Sequence, residues 1–463
     1  MEKFADVFER LFKKFLPSPL GIALVLTGLA FGLAAIWGHP VETGQAANSH
    51  ANPNPNHNLF TIWFNGLWGS STLAFAVQMM LMLVIGHMLA LSPPIKNLIT
   101  FLSSRFKTPA TATAALGLAT IVVALFNWGL GLVFGAILAR QIKEDFARRG
   151  LPINYPLLGA AGYSGLMVWH GGLSGSAPLK AAEANHITEM MAFSSATFPA
   201  EVTMDQTVFS ALNGGSTLAL LILLPATLYF LAKRTSTQPV VALAQDHSEP
   251  RPQIISGAEW IDHGRAFSLA AGLIFLVAAA MQVPAATRAL GFLTPNFINT
   301  VLFGLALLLH PNIKSFSAAA QEAIGDATGI LLQFPLYFGI MGLIRDTGLV
   351  NDLALFFSSI STAETFPLFT LVSSGIINVF VPSGGGQWAV QGPILMQTAQ
   401  ELGVPYGKAI MSLAYGDQLT NMLQPFWALP LLGITGLKAK EILPYTCLLM
   451  LVGGIIFTIA LLL

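Results

Sequence analysis

Residues 109–140 read PATATAALGLATIVVALFNWGLGLVFGAILAR. From Pro109 to Ala139 there is no Asp, Glu, Lys or Arg, and a bilayer span needs about 20 predominantly apolar residues. The flanks decide how the stretch runs. Lys96, Arg105 and Lys107 precede it, and Arg140, Lys143, Arg148 and Arg149 close and follow it. Basic residues mark the cytoplasmic side of a membrane protein. A segment that is basic at both ends enters and leaves on one face, as a re-entrant hairpin. Asn127-Trp-Gly-Leu-Gly131 supplies the helix-breaking tip.

Residues 364–400 mirror this with the opposite sign. They are uncharged from Thr365 to Gln400, and no Lys or Arg occurs from Asp346 to Gly407. The segment reads as a hairpin opening on the outer face, with Val381-Pro-Ser-Gly-Gly-Gly-Gln387 at its tip.

The rest of the chain fits a membrane setting. Of its 463 residues 54% are hydrophobic and 10% charged, with a mean hydropathy of +0.67. A soluble domain carries roughly 25% charged residues. The net charge of zero supports no nucleic-acid partner. One cysteine, Cys447, excludes an internal disulfide.

The fold class expected is an all-α polytopic membrane protein with about nine spanning segments. They fall near 18–37, 68–91, 154–180, 207–232, 263–283, 292–309, 327–345, 406–437 and 441–463. Residues 1–17 read as an interfacial helix, with Phe4, Val7, Phe8, Leu11, Phe12 and Phe15 on one face. A first half, 18–232, and a second, 263–463, are joined by a cytoplasmic linker, 233–262. Loop charge puts the N-terminus in the cytoplasm and the C-terminus in the periplasm or outside.

The halves resemble each other as an inverted repeat. Asn127 is followed by Gly150-Leu-Pro152, then Ala161-Gly-Tyr-Ser164 and Ser174-Gly-Ser-Ala-Pro178. Asn378 is followed by Gly403-Val-Pro405, then Ala414-Tyr-Gly-Asp417 and Asn421-Met-Leu-Gln-Pro425. The Asn-to-Gly spacings are 23 and 25 residues, and the following intervals to the last Pro are 28 and 22. Segments 154–180 and 406–437 therefore read as broken helices. Paired interruptions of this kind are the sequence pointer to a transporter site, because non-helical backbone at membrane depth must be buried or line a cavity.

Two tips and two breaks bring small polar groups together. The substrate-binding candidates are Asn127, Ser174, Ser176, Asn378, Ser383, Gly384, Gly385, Gln387, Thr420, Asn421 and Gln424. Half-helix N–H groups attract anions and freed carbonyls attract cations. Without Lys or Arg inside these elements, the set suits a small monoanion better than a multiply charged one. Asp417, an intramembrane carboxylate, is the ion-coupling candidate together with Ser164, for a proton or a sodium ion. His170 reads as a structural histidine at the break with a proton relay as its alternative, and His87 as a packing or helix–helix hydrogen-bonding residue. Trp128, Trp169, Trp388 and Trp427 lie near the breaks and could wall an apolar pocket. The chain lacks G-x-S-x-G, H-E-x-x-H and a Cys cluster, so no enzyme signature, cofactor or metal site is expected.

Val381-Pro-Ser-Gly-Gly-Gly-Gln-Trp-Ala-Val-Gln-Gly-Pro393 and Ala414-Tyr-Gly-Asp-Gln-Leu-Thr-Asn-Met-Leu-Gln-Pro-Phe-Trp-Ala-Leu-Pro430 resemble the bacterial short-chain fatty acid transporter family, and His170-Gly-Gly-Leu-Ser-Gly-Ser-Ala-Pro178 is similar to its first-half motif. The resemblance implies uptake of acids such as butyrate or acetoacetate across the inner (cytoplasmic) membrane. It also implies membership of the ion-transporter superfamily, whose members use two hairpins, a scaffold plus a transport domain, a homodimer and an elevator-type movement. Three rivals stay open at this point: a carrier of another organic anion such as a dicarboxylate, an intramembrane enzyme using His170 and Asp417, and a channel.

Overall fold

The computed structural model describes residues 17–39, 58–192, 194, 196–235, 237, 257–283 and 294–463. The expected interfacial helix, apart from Pro17, and most of the 233–262 linker lie outside them. The described residues are helical throughout their regular structure.

Leaving aside the connecting helices Pro93–Ser104, His186–Met190 and Glu259–His263, the helices in chain order are α1 (Pro19–Trp37), α2 (Leu59–Leu67), α3 (Ser70–Leu91), α4 (Pro109–Phe126), α5 (Trp128–Arg148), α6 (Tyr155–Tyr163), α7 (Ser176–Ala181), α8 (Ala211–Arg234), α9 (Arg265–Ala280) and α10 (Pro295–Leu309). They continue with α11 (Ile313–Ala323), α12 (Thr328–Asp346), α13 (Leu349–Ser359), α14 (Phe366–Phe380), α15 (Gly384–Leu402), α16 (Tyr406–Thr420), α17 (Pro425–Thr435) and α18 (Ala439–Leu462). Several begin on one device. Ser18, Thr108, Asn154 and Thr294 each cap a helix with a side-chain oxygen, and a proline sits in the first turn, where its missing N–H costs nothing.

Six described helical segments are long and apolar enough to cross a membrane, and α9, α10, α13, α14 and α17 are shorter apolar helices. Large apolar side chains such as Leu24, Val25, Ile222, Ile274 and Ile455 point outward, as a lipid-facing belt requires.

The two charge-free segments each turn back. Asn127 ends α4 and starts α5: its N–H bonds Val123 O at 3.0 Å and its Oδ1 accepts from the N–H of Leu130 at 3.0 Å. The arms run antiparallel and close, with Gly131 against Ala124 and Gly135 against Thr120. At 18 residues, α4 is itself long enough to span. In the second turn, Ser383 Oγ accepts from the N–H of Gly386 at 3.2 Å and starts α15. There α13 packs on both α14 and α15, so the arms splay around it. A small cleft between them is lined by Phe357, Thr370, Ser373, Gln391 and Ile394.

Both expected broken helices are broken. After α6 the chain makes two 3-10 turns, Ser164–Met167 and Trp169–Gly171, before α7. After α16 it makes one, Asn421–Leu423, and then an extended Gln424 before α17. Short amphipathic connectors such as α11 and α13 stand where the sequence reading had only loops.

The breaks sit among crossed layers. α1 and α2 pack on α12, whereas α10 and α11 pack on α3; α4 packs on α8, and α14 on α16. Glycine permits a very close approach between α5 and α6, where a Cβ on Gly135 would lie 2.1 Å from Gly162 O. Backbone cannot yield cheaply there. Gly135→Ala should therefore lower stability by about 1–3 kcal/mol. Its detergent melting temperature should fall, while that of Gly214→Ala, whose Cβ meets nothing within 4 Å, should hold.

Candidate functional site

The breaks and the second tip form one buried polar cluster. Asn378 lies in the last turn of α14, and its Nδ2 donates toward Asp417 O (2.7 Å), Asn421 Oδ1 (2.7 Å) and Thr420 Oγ1 (3.0 Å). Gln424 Nε2 donates to Asn378 O at 2.6 Å. Gln387 Nε2 donates to Ser374 O (2.9 Å) and Gln391 Oε1 (2.6 Å), tying the two arms of the second hairpin together near its tip. Asn378, Gln387 and Asn421 are fully buried, and Asp417 is 1% exposed.

Side chains cross between the breaks in both directions. Tyr163, at the end of α6, donates its hydroxyl to Asn421 O at 2.8 Å and Gln424 O at 3.2 Å. Gln418, in α16, accepts on Oε1 from the N–H groups of His170 (3.0 Å) and Gly171 (3.2 Å). Each break thus has its loose peptide groups satisfied by the other's helix. Sequence reading passed over both residues, although Tyr163 and Gln418 lie inside or beside the quoted motifs.

His170 and Asp417 meet at the centre. His170 Nδ1 lies 3.4 Å from Asp417 Oδ1, and His170 Nε2 accepts from the N–H of Ala177 at 3.0 Å. With Nε2 accepting, a neutral ring carries its proton on Nδ1, facing the carboxylate. Trp169 stacks on the ring at 4.4 Å, and a Cβ on Gly384 would lie 2.7 Å from His170 Cε1. Only glycine lets the second tip approach this closely.

Several buried atoms here have no protein partner: the oxygens Asp417 Oδ2, Asn378 Oδ1, Gln387 Oε1, Gln424 Oε1 and Ser374 Oγ, and the donors Asn421 Nδ2, Trp169 Nε1 and Trp427 Nε1. Each such atom costs about 1–3 kcal/mol if left alone. These eight atoms lie on the residues of the two breaks, the second hairpin and the tryptophans beside them.

The first tip joins the cluster through Ser174, whose Oγ accepts from the N–H of Trp128 at 3.1 Å. Ser176 faces Gly385, where a Cβ would lie 3.9 Å from Ser176 Cβ. Ser164 is buried with its hydroxyl committed to Ala161 O at 2.7 Å, so it ends α6 rather than reaching Asp417. Asn127 and Asn378 do not hold equivalent places: Asn127 is the tip itself, and the capping counterpart at the second tip is Ser383.

Three of the four tryptophans pack together as an aromatic wall, but none of the four lines the cavity beside it. Trp128 packs edge-on against Trp427 at 5.0 Å and against Trp169 at 6.1 Å. Phe426 extends the wall to Phe334 at 4.1 Å and Tyr337 at 4.8 Å. Trp388 is elsewhere, donating from Nε1 to His186 Nε2 at 3.0 Å. Beside the wall lies a cavity of about 240 Å³ between α3, α12 and the second tip. Ser71, Thr72, Phe75, Tyr337, Phe338, Met341, Pro382 and Ser383 line it, and none of them is charged.

Residues 1–463 match the family described as Short chain fatty acid transporter. The chain is 35% identical to a protein of Escherichia coli (strain K12) that bears the name of a short-chain fatty acid transporter, covering 99% of each. It is 34% identical to a protein of the same designation from Haemophilus influenzae, covering 97% of this chain and 96% of that one. Among solved structures, it is similar to the Alcanivorax borkumensis YdaH transporter, with a TM-score of 0.44, 16% identity and coverage of 96% and 98%. It is also similar to Neisseria gonorrhoeae MtrF, with a TM-score of 0.38, 14% identity and coverage of 98% and 97%.

Tyr163→Phe should remove a donor from the carbonyls of Gln424 and Asn421, leaving the latter only the N–H of Gln424 at 3.1 Å. A loss of about 1–3 kcal/mol is expected in urea or thermal unfolding of the detergent-solubilised protein. Tyr229→Phe, half-buried on α8 with its ring beneath the Lys233 ammonium, should change stability far less.

Proposed function

We propose, starting from the fact that the chain belongs to the short-chain fatty acid transporter family, that it is an ion-coupled symporter taking up short-chain monocarboxylates such as butyrate or acetoacetate. The observation that carries this reading is the uncharged cavity that meets the second tip at Pro382 and Ser383. A water's share of liquid volume is about 30 Å³, so 240 Å³ accommodates roughly eight non-hydrogen atoms, the scale of a short acyl chain with its carboxylate. Apolar walls accept the chain. The N–H groups leading into α15 at Gly384 and Gly385, with the hydroxyl of Ser383, would hold the carboxylate without an arginine. A dicarboxylate would leave its second charge against Phe75, Phe338 and Met341, which argues for a monocarboxylate.

The residues proposed to form the site are those of the two tips and two breaks: Asn127, Ser174 and Ser176 from the first half, and Asn378, Ser383, Gly384, Gly385, Gln387, Thr420, Asn421 and Gln424 from the second. Asp417 is the proposed coupling group. Its free Oδ2 and the facing His170 suit a proton, and the unpartnered oxygens around it suit a sodium ion. Ser164 contributes by ending α6 at the break.

The halves 18–232 and 263–463 are proposed to be an inverted repeat with re-entrant hairpins. Exchanged packing supports this: α1 and α2 lie on α12, as α10 and α11 lie on α3. The proposed setting is the cytoplasmic membrane, as a homodimer, with the N-terminus inside and the C-terminus outside.

Proteoliposomes with an imposed proton or sodium gradient should accumulate labelled butyrate or acetoacetate, with competition from C2–C6 acids and not from succinate or citrate. Absence of gradient-driven accumulation of every short monocarboxylate would reject the function. Asp417→Asn should lower uphill accumulation about tenfold or more while butyrate counterflow continues. Unimpaired uphill uptake would clear Asp417 of coupling.

A further inference from the structure

His87 lies in α3 among Met79, Met82 and Met88, 4% exposed and outside the cluster around Asp417. Both its ring nitrogens are engaged. Nδ1 lies 2.7 Å from Oδ2 of Asp326, in the 3-10 turn Ile324–Ala327 that leads into α12. Nε2 lies 3.2 Å from Nη1 of Arg140, in α5. Arg140 also reaches Glu144 Oε1 at 3.3 Å and the carbonyl of Ile434, near the end of α17, at 3.5 Å. One imidazole therefore links α3 and the Asp326 turn to α5 and α17.

The hydrogen-bond inventory sets the protonation state of this arrangement. Arginine offers donors only, so Nε2 accepts, and a neutral ring gives its Nδ1–H to the Asp326 carboxylate. A proton placed on Nε2 removes the lone pair that Arg140 uses and sets two cations 3.2 Å apart. The same proton makes the bond to Asp326 charge-assisted and stronger. Arg140 loses nothing else, because Glu144 and the Ile434 carbonyl remain. Protonation thus exchanges the α3–α5 link for a tighter bond between α3 and the Asp326 turn.

We propose that His87 is a second proton-binding residue of the transport cycle: neutral, it fastens α5 to α3; charged, it releases α5 together with α17. The proposal rests on the transport reading above. The other charged groups on the elements around His87 leave the switch to this network. On α11, Lys314 and Glu322 are exposed, as is Lys96 on the helix Pro93–Ser104, which packs on α3 and α5. On α5, Lys143 lies over the Tyr155 ring, and Asp145 pairs with Arg148 and Arg149. On α12, Arg345 and Asp346 pair with each other at the far end. His310, after α10, is held to Met88 O at 2.8 Å.

The α3–α5 contact can be read directly. A Cβ on Gly86 would lie 3.6 Å from Val133 Cβ, inside the range of about 3.5–4.5 Å that a disulfide spans. In a Cys447→Ser background, Gly86→Cys with Val133→Cys should oxidise much faster at about pH 8 than at about pH 6. Thiolate chemistry alone gives part of that ratio, so the same pair is measured with His87→Gln. With His87 the ratio should be about tenfold larger than with Gln. Equal ratios would overturn the proposal. A second readout leaves His87 intact: the oxidised pair should lose butyrate counterflow, and dithiothreitol should restore it. Full counterflow in oxidised protein would overturn the proposal as well. Failure of wild-type protein to move any short acid would instead strike at the substrate reading, and the crosslinking ratio would still decide the role of His87.

Discussion

Peptide groups that leave a helix inside a bilayer must find partners within the protein, and here two breaks find them in each other. Tyr163 on α6 holds the carbonyls of Asn421 and Gln424; Gln418 on α16 holds the N–H groups of His170 and Gly171. Neither break is tolerable without the other. This mutual dependence fixes the distance between the halves and brings His170 and Asp417 face to face. The second tip then closes over them, because Gly384 has no side chain to keep it away.

What this exchange leaves unsatisfied is as informative as what it satisfies. The backbone at the breaks is largely accounted for, whereas side-chain oxygens of Asp417, Asn378, Gln387 and Gln424 remain without protein partners. Buried polar atoms without partners are costly, and on the proposed reading these oxygens are the ones a solute or an ion would satisfy. Trp128, Trp169, Trp427 and Phe426 pack as an aromatic wall beside this polar cluster.

The sequence was most legible where physics acts locally. Charge-free runs, flanking Lys and Arg, and Asn, Pro and Gly at the tips located both turns and both breaks. It was least legible where partners lie far apart in the chain. Tyr163 and Asn421 are 258 residues apart, and no local pattern announces such a bond. Trp388 shows the limit of proximity along the chain: it stands five residues from Ser383 yet turns to His186 instead of the wall. The repeat register was misled by residue identity, because Asn378 looks like Asn127, while capping at the second tip is done by Ser383. His87 read as a helix–helix hydrogen-bonding residue, and it is one, but the charges on either side of it come from α5 and from the turn before α12.

The two turned-back segments differ in how their arms meet. The first is closed along its length through Gly131 and Gly135; the second is pried apart by α13. Arms in continuous contact leave no room for a third element, whereas arms with a helix between them take their spacing from that helix. The gap between α14 and α15, and with it the cleft at Thr370, Ser373 and Gln391, is therefore set by the seat of α13, a dependence the first turned-back segment does not share.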